Sequence, residues 1–126
     1  MSVELEVILL TKRNESDATY KETLVADRVR TAEGFLIRLV GLMGKKRLEP
    51  GEGLFLRNCS RIHTCFMKIP IDVIYLAGDG TVLFTQTLAP WQIGRKVAGT
   101  KHILELALGA ADRIQQGSRL VVQEVE

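Results

Sequence analysis

Short apolar segments separated by turn residues constrain the fold of this chain more than any other feature of its sequence. Residues 71–76 have the sequence IDVIYL and residues 102–107 the sequence HILELA, and both are bounded by glycine, proline or polar residues. Apolar runs of about four to eight residues are too short for most helices and are typical of buried β-strands. The sequence therefore predicts a mainly β fold.

Turn-forming residues locate the other strands. Residues 3–26 are predicted to form a hairpin because two apolar segments flank the polar run RNESD. The dipeptide Asp-Gly at 79–80 predicts a tight hairpin between the strands at 71–76 and 81–87. About seven strands joined at short intervals favour a β-sandwich or a barrel-like domain over an alternating α/β sheet. The remaining segments expected to be extended are residues 54–56, 61–68, 102–107 and 120–125.

Two segments have helical patterns instead. Thr31 is a typical N-cap and Phe35 begins an apolar stripe of helical spacing, so a main helix is predicted over residues 31–43. A short helix is predicted near residues 110–115. The complete prediction is a mainly β fold with some α content, in a single compact domain over residues 1–126.

Composition excludes several classes of protein. Hydrophobic residues make up 46% and charged residues 25% of the 126 residues, which is the balance of a globular chain and not of a disordered one. No apolar run approaches the ~18 to 20 residues of a membrane span, so none is expected. The first residues are acidic where a signal peptide is basic, and only two cysteines are present. A cytoplasmic, reducing location is therefore expected.

The basic residues are concentrated in the middle of the chain. Nine basic and three acidic residues lie between Arg28 and Lys68, a net charge of +6, and the remaining residues carry −4, which gives +2 for the chain. This asymmetry predicts a candidate anion-binding face, and the alternative is a solvated surface with dispersed charges. The candidate residues of this basic patch are Arg38, Lys45, Lys46, Arg47, Arg57 and Arg61.

The densest group of reactive side chains lies between Cys59 and Met67. If this segment is extended, the two-residue period of a strand places Cys59, Arg61, His63, Cys65 and Met67 on one face. Imidazole, thiol and thioether groups suit a soft metal ion such as Cu(I), which makes His63, Cys65 and Met67 weak metal candidates. The alternative is that the cysteine and the methionine pack in the core and that His63 bonds to the backbone.

Two carboxyl side chains interrupt apolar strands. Asp72 is expected either to anchor the fold by accepting backbone N–H groups or an arginine, or to join His63 and Glu105 in one ligand-orienting pocket. The alternation of residues around Glu105 favours a solvent-exposed carboxylate. Trp91 follows a proline in a loop, and a position in the core is favoured for it over a position above a site.

Six motifs occur in an order that makes the sequence recognisable. They are GLMG at 41–44, GEGLF at 51–55, IHTCFM at 62–67, PIDV at 70–73, the GDG hairpin at 78–80, and LEL at 104–106 with Gly109. With these motifs the sequence resembles the domain-of-unknown-function 192 family, also called uncharacterised protein family 0127, over roughly residues 24–122. The resemblance implies a mainly β, sandwich-like domain of bacteria and archaea with no established biochemical activity. Cys65 stands where that family often has an aromatic residue, so the resemblance favours His63, Met67 and Asp72 as shared elements.

Two functions are expected from these observations. The first is the binding of a small ligand or an ion in a pocket lined by the candidates His63, Thr64, Met67, Asp72 and Glu105. The alternative is an anion or nucleic-acid interaction module that uses the basic patch. No cofactor and no catalytic residue are predicted, no partner is identified, and the chain is not expected to be an enzyme.

Overall fold

Seven β-strands form one mixed sheet in the computed structural model, which describes residues 4–13, 19–32, 47–65 and 67–125. The strands are β1 (Glu4–Lys12), β2 (Tyr20–Ala32), β3 (Glu52–Leu56), β4 (Ile71–Leu76), β5 (Val82–Leu88), β6 (His102–Ala107) and β7 (Arg119–Glu124). Their order across the sheet is β5-β4-β6-β3-β2-β1-β7. All neighbours are antiparallel except β2 and β3, which are parallel. The prediction of a mainly β fold is confirmed.

The sheet curls until its two edge strands approach each other, but it stays open. The N–H of Leu120 donates to the carbonyl of Gly80 at 2.9 Å, and Thr81 and Arg119 form an isolated bridge beside this bond. Within the described residues no ladder of strand length joins β5 to β7. The seven strands are therefore one curled sheet, neither the closed barrel nor the two-sheet sandwich that the sequence predicts.

Apolar side chains cover both faces of the sheet. An inner cluster draws buried residues from all seven strands, and an outer cluster lies on the opposite face. Strands β4 and β6 contribute to both clusters, which explains why their sequences are apolar at nearly every position instead of alternating. The inner cluster includes Val7, Val29, Phe55, Ile74, Val82, Leu104 and Leu120, and the outer cluster includes Leu54, Ile71, Val73, Tyr75 and Ile103.

The predicted main helix does not begin at Thr31. Thr31 and Ala32 belong to β2, where they pair with Phe55 and Leu56 of β3 in the parallel ladder. This pairing with a distant part of the chain outweighs the local N-cap signal. The remainder of the predicted helix, residues 33–43, lies outside the described residues.

Residues 110–115 form successive turns and not the predicted short helix. The N–H groups of Gly109 and Ala111 donate to the carboxylate of Asp72, so neither of them enters a helical ladder. Each turn is closed by a backbone hydrogen bond between residues three positions apart. The N–H groups of Ala110, Asp112 and Ile114 donate to the carbonyls of Ala107, Gly109 and Ala111, respectively. In the part of the chain that the structure describes, no helix is long and apolar enough to cross a membrane.

Candidate ligand-binding site

Asp72 is a buried carboxylate whose oxygens are occupied by hydrogen bonds. It lies in β4 with only 2% of its surface exposed. Its Oδ1 accepts the hydroxyl of Thr87 at 2.8 Å, and its Oδ2 accepts the N–H groups of Gly109 and Ala111 at 3.0 Å each. These three bonds tie β4, β5 and the segment after β6 together. They also give the buried oxygens of Asp72 the hydrogen-bond partners that they would otherwise lack. This is the anchoring arrangement that the sequence allowed.

Glu105 is also buried, which makes the expected solvent exposure wrong. Its residue is 5% exposed, and its partners across the two neighbouring ladders are Leu54 and Val73. The alternation of β6 does separate Glu105 from Leu104, but an apolar cluster packs on each face of the sheet, so the face of Glu105 is buried as well. Burial raises the pKa of Glu105 to about 8, and the carboxyl group is therefore mostly protonated at neutral pH.

The structure does not bring Asp72, Glu105 and His63 together. Val73 is the direct cross-strand partner of Glu105, so Asp72, one residue earlier, points to the opposite face of the sheet. A cavity of about 230 Å³ borders Asp72 and contains neither Glu105 nor His63. His63 is exposed in the loop after β3. The shared pocket that the sequence left open therefore has no geometric basis.

The segment from Cys59 to Met67 is not an extended strand. His63 makes a single bridge to Ile93, and the N–H of Met67 donates to the carbonyl of Thr64 in a tight turn. As a result Cys59 and Met67 are buried in the outer cluster while His63 is exposed, so the predicted common face does not exist.

The metal candidates are not arranged as ligands. The Nδ1 atom of His63 accepts the backbone N–H of Cys65 at 3.3 Å, and the thiol of Cys59 donates to the carbonyl of Arg61 at 3.0 Å. Both cysteines are free. Among the residues that the structure describes, no three His, Cys, Asp or Glu side chains are grouped as a metal site would require.

Thr64 joins two loops that lie on the outer face. Its hydroxyl donates to the carbonyl of Ala89 at 2.6 Å and accepts the N–H of Gln92 at 2.8 Å. Its backbone N–H donates to the carbonyl of Gln92, and its carbonyl accepts the N–H of Trp91 at 3.0 Å. We call residues 57–65 and 89–101 the paired loops, because these bonds hold them side by side.

Trp91 is displayed by the paired loops and does not pack in the core as the sequence favoured. Its surface is 62% exposed, and its backbone has a φ of 63°. This left-handed conformation is common only for glycine and is rare for a bulky side chain. It costs about 1 kcal/mol or more in backbone strain. The hydrogen bond from its N–H to Thr64 holds the residue in this conformation.

The predicted basic patch is only partly visible. Arg38, Lys45 and Lys46 lie outside the described residues. Arg47 pairs with Glu49 at 2.7 Å on the surface. Arg57 and Arg61 are both exposed in the first of the paired loops.

A cavity that no sequence motif indicated lies at the mouth of the curled sheet. It has a volume of about 650 Å³, within the range of small-molecule sites. Its lining is mixed: apolar side chains line one part of it, and the charged or titratable side chains are Arg57, His102, Arg119, Asp79 and Glu124. We call it the mouth cavity; its apolar wall consists of Leu5, Phe55, Leu76, Leu120, Val121 and Val122.

His102 is held in one tautomer at the rim of the mouth cavity. Its Nδ1 accepts the backbone N–H of Asn58 at 3.0 Å, so the proton of the neutral ring is on Nε2. Burial, followed by the charges of Arg57 and Lys101, lowers the pKa of His102. The two cations make the potential at this ring positive, while the ring itself stays neutral at pH 7.

The acidic side chain of Asp79 is already engaged in its own turn. Its Oδ1 accepts the N–H of Thr81 at 2.9 Å, which lowers the pKa of the Asp79 carboxyl group, and its carbonyl accepts Nε of Arg119 at 3.1 Å. The sequence did not reveal this cavity because its lining extends from Leu5 to Glu124, and only the pairing of distant strands assembles it.

Comparison with known proteins agrees with this fold. The sequence model of the DUF192 family, described as "Uncharacterized ACR", matches residues 16–122. The chain belongs to the DUF192 family. A UPF0127 protein of Pyrococcus horikoshii is 36% identical over 93 residues, which are 69% of this chain and 78% of that protein. A UPF0127 protein of Pyrococcus abyssi is 33% identical over 88 residues, covering 65% and 73% of the two chains.

Two solved structures have the same fold as this DUF192 chain. One, from Sinorhizobium meliloti, is named a candidate transcription regulator; it aligns with a TM-score of 0.73 and 21% identity over 97% of this chain and 96% of its own. The other, a protein of unknown function from Novosphingobium aromaticivorans, has a TM-score of 0.69 and 20% identity over 95% and 84% of the two chains. At these identities the likeness extends to the fold alone. The family has no characterised function.

Proposed function

We propose that this chain is a small-ligand-binding domain and that its ligand is an amphipathic anion held in the mouth cavity. The observation that carries the proposal is the combination, in one cavity of about 650 Å³, of apolar side chains with Arg57 and His102. Asp79 and Arg119, which also line the cavity, are engaged in the hydrogen bonds of the β4–β5 hairpin. An apolar wall favours a hydrocarbon or aromatic body, and a guanidinium group favours a carboxylate or a phosphate. The Nε2 proton of His102 adds a neutral donor for the same anionic group.

The proposal moves the ligand away from the residues that the sequence favoured. The carboxylate oxygens of Asp72 already accept three hydrogen bonds, and Glu105 lies on the opposite face of the sheet. His63 is exposed in a loop. The mouth cavity is still a small-ligand site, which is the class of function that the sequence predicted, and it includes Arg57 of the predicted basic patch.

Calorimetric titration with octanoate and with octanamide tests this proposal, since the two probes have the same chain and differ in charge. Octanoate is expected to bind and octanamide to bind at least about tenfold more weakly, because the amide forfeits a charge-assisted bond to Arg57. Arg57→Gln should remove that difference, whereas Arg113→Gln, an exposed arginine that does not line the mouth cavity, should preserve it. Equal affinity for both probes, or no binding of either at millimolar concentration, contradicts the proposal.

A further inference from the structure

We propose that the paired loops form a binding surface for single-stranded nucleic acid, which adjoins the mouth cavity at Arg57. The proposal rests on the charge of the two loops, on the contacts that hold them together, and on the exposed indole of Trp91 in the second loop. It concerns a different set of residues from the basic patch that the sequence predicted, with Arg57 and Arg61 in common.

The paired loops contain basic residues and no acidic ones. The sequence has no Asp or Glu between Glu52 and Asp72 and none between Asp79 and Glu105. The two loops lie within these two stretches, and their five cations are all exposed. A surface with cations alone attracts a polyanion and gains affinity by releasing its counterions. The five cations are Arg57, Arg61, Arg95, Lys96 and Lys101.

Backbone hydrogen bonds join the segments of the two loops that carry the cations. The N–H of Gly94 donates to the carbonyl of Ile62 at 2.8 Å. Arg95 follows Gly94 and Arg61 precedes Ile62, so these two arginines lie on adjoining segments. At the other end of the loops, the N–H of Cys59 donates to the carbonyl of Lys101 at 3.0 Å. The guanidinium group of Arg95 also lies over the ring of Phe84, 5.2 Å from its centroid, which restricts its position. The charges are thus arranged on a common framework.

Trp91 supplies the contact that favours a single strand over a duplex. Its indole is 62% exposed on a loop fixed by the hydrogen bonds to Thr64, and Ile93 beside it is 70% exposed. Exposed aromatic rings among cations bind single strands by stacking on unpaired bases while the cations contact the phosphates. A duplex keeps its bases stacked inside, so it offers the indole no base face. An acidic protein would satisfy the cations and leave Trp91 without a specific role.

The first experiment measures binding of a fluorescein-labelled oligothymidylate of about 12 nucleotides, a length within the site sizes of single-strand binders. If about three of the five cations each neutralise one phosphate, affinity measured by anisotropy should fall roughly 20-fold between 50 and 200 mM salt. Trp91 is the single tryptophan of the chain, so its emission should be quenched when an unlabelled strand binds. A hairpin duplex of the same charge should bind more weakly and leave the emission unchanged.

Matched variants separate the surface from the overall charge of the protein. Arg61→Glu combined with Lys96→Glu should weaken binding by at least about tenfold. Lys12→Glu combined with Lys21→Glu, on the hairpin of β1 and β2, produces the same change of net charge and should leave affinity within about twofold. Trp91→Gly suits the left-handed backbone and should weaken binding by roughly fivefold or more, with Trp91→Phe restoring much of the loss.

Three results would overturn the inference. One is the absence of measurable binding at 50 mM salt by folded protein, with folding checked by circular dichroism. Another is an equal loss of affinity in the two charge-reversed variants, which would mean that the net charge and not the paired loops attracts the strand. The third is evidence that no base stacks on Trp91, which would be either binding without quenching of its emission or equally strong binding of polyglutamate.

Discussion

At the scale of single residues, Asp72 and Glu105 are two buried carboxyl groups with different surroundings. Both residues are almost fully buried in neighbouring strands. Asp72 accepts hydrogen bonds from one hydroxyl and two backbone N–H groups, so both of its side-chain oxygens have partners. Glu105 lies between Leu54 and Val73, and loss of hydration raises the pKa of Glu105 to about 8.

This difference predicts a pH-dependent cost of folding from Glu105. Below the unfolded pKa of 4.5 the carboxyl is protonated in both states and contributes no penalty. Between 4.5 and about 8 the unfolded chain releases a proton that the folded chain retains, so the free energy of unfolding falls as pH rises and levels off above pH 8. The full fall has an upper limit of about 5 kcal/mol.

Glu105→Gln removes this titration and tests the prediction. The variant should lose less of its free energy of unfolding than the wild type between pH 5 and pH 8.5, by a few kcal/mol. Urea unfolding of the two proteins at several pH values measures the difference. Parallel curves for the two proteins would show that the pKa of Glu105 is not raised in the folded state.

At the scale of elements, the side chain of Thr64 helps to join two loops. The hydroxyl of Thr64 bonds both Ala89 and Gln92, and the side chain of Gln92 in turn accepts the N–H of Ala89 at 2.9 Å. The paired loops have no strand ladder of their own beyond the bridge of His63 and Ile93 among the described residues. Their geometry, including the exposed position of Trp91, therefore depends on these bonds together with the backbone bonds of Gly94 to Ile62 and of Cys59 to Lys101.

Thr64→Val is expected to destabilise the protein by about 2 to 4 kcal/mol. The variant is nearly the same size but leaves the N–H of Gln92 and the carbonyl of Ala89 without their partner, and each such group costs roughly 1 to 3 kcal/mol. Thr64→Ser keeps the hydroxyl and should lose clearly less. Chemical unfolding measures stability, and the emission of Trp91 reports the loop; equal stabilities of the valine and serine variants would contradict the assigned role of the hydroxyl.

At the scale of the whole molecule, the decisive feature is the seam where the curled sheet nearly closes. The sheet edges meet through the bond of Leu120 to Gly80 and the bond of Val82 to Ser118. Gly80 has a φ of 91°, and a Cβ atom at this position would collide with the carbonyl oxygen of Leu120. Since Gly80 and Leu120 also line the mouth cavity, the seam and the proposed ligand site depend on each other.

Gly80→Ala should open the seam. A side chain in the left-handed region and the loss of the Leu120 bond together should cost about 2 kcal/mol or more. Amide hydrogen exchange should accelerate at Leu120 and Val82 and remain slow in β4 and β6. Gly99→Ala is the matched control, because Gly99 also has a positive φ, 85°, but its nearest neighbour, a Leu83 methyl, lies 3.6 Å from the added Cβ. Unchanged exchange at Leu120 would contradict the role of the seam.

The sequence by itself determined the features that depend on neighbouring residues. The strands at 71–76 and 102–107 and the hairpin at Gly80 were predictable because strand periodicity and turn conformation are local properties. The family was recognisable for the same reason, since its motifs are short and ordered along the chain. The wrong start of the helix at Thr31 shows the limit, because pairing with β3 was stronger than a local cap signal.

Only the tertiary structure decided which side chains meet. The alternation of a strand predicts that Glu105 and Leu104 point to opposite faces of the sheet. Whether a face is buried, however, depends on residues far away in the sequence that pack on it. The mouth cavity and the paired loops likewise join residues that are tens of positions apart. Burial, pKa values and the shape of a site arise from such long-range contacts. The candidate sites could therefore be located only from the tertiary structure.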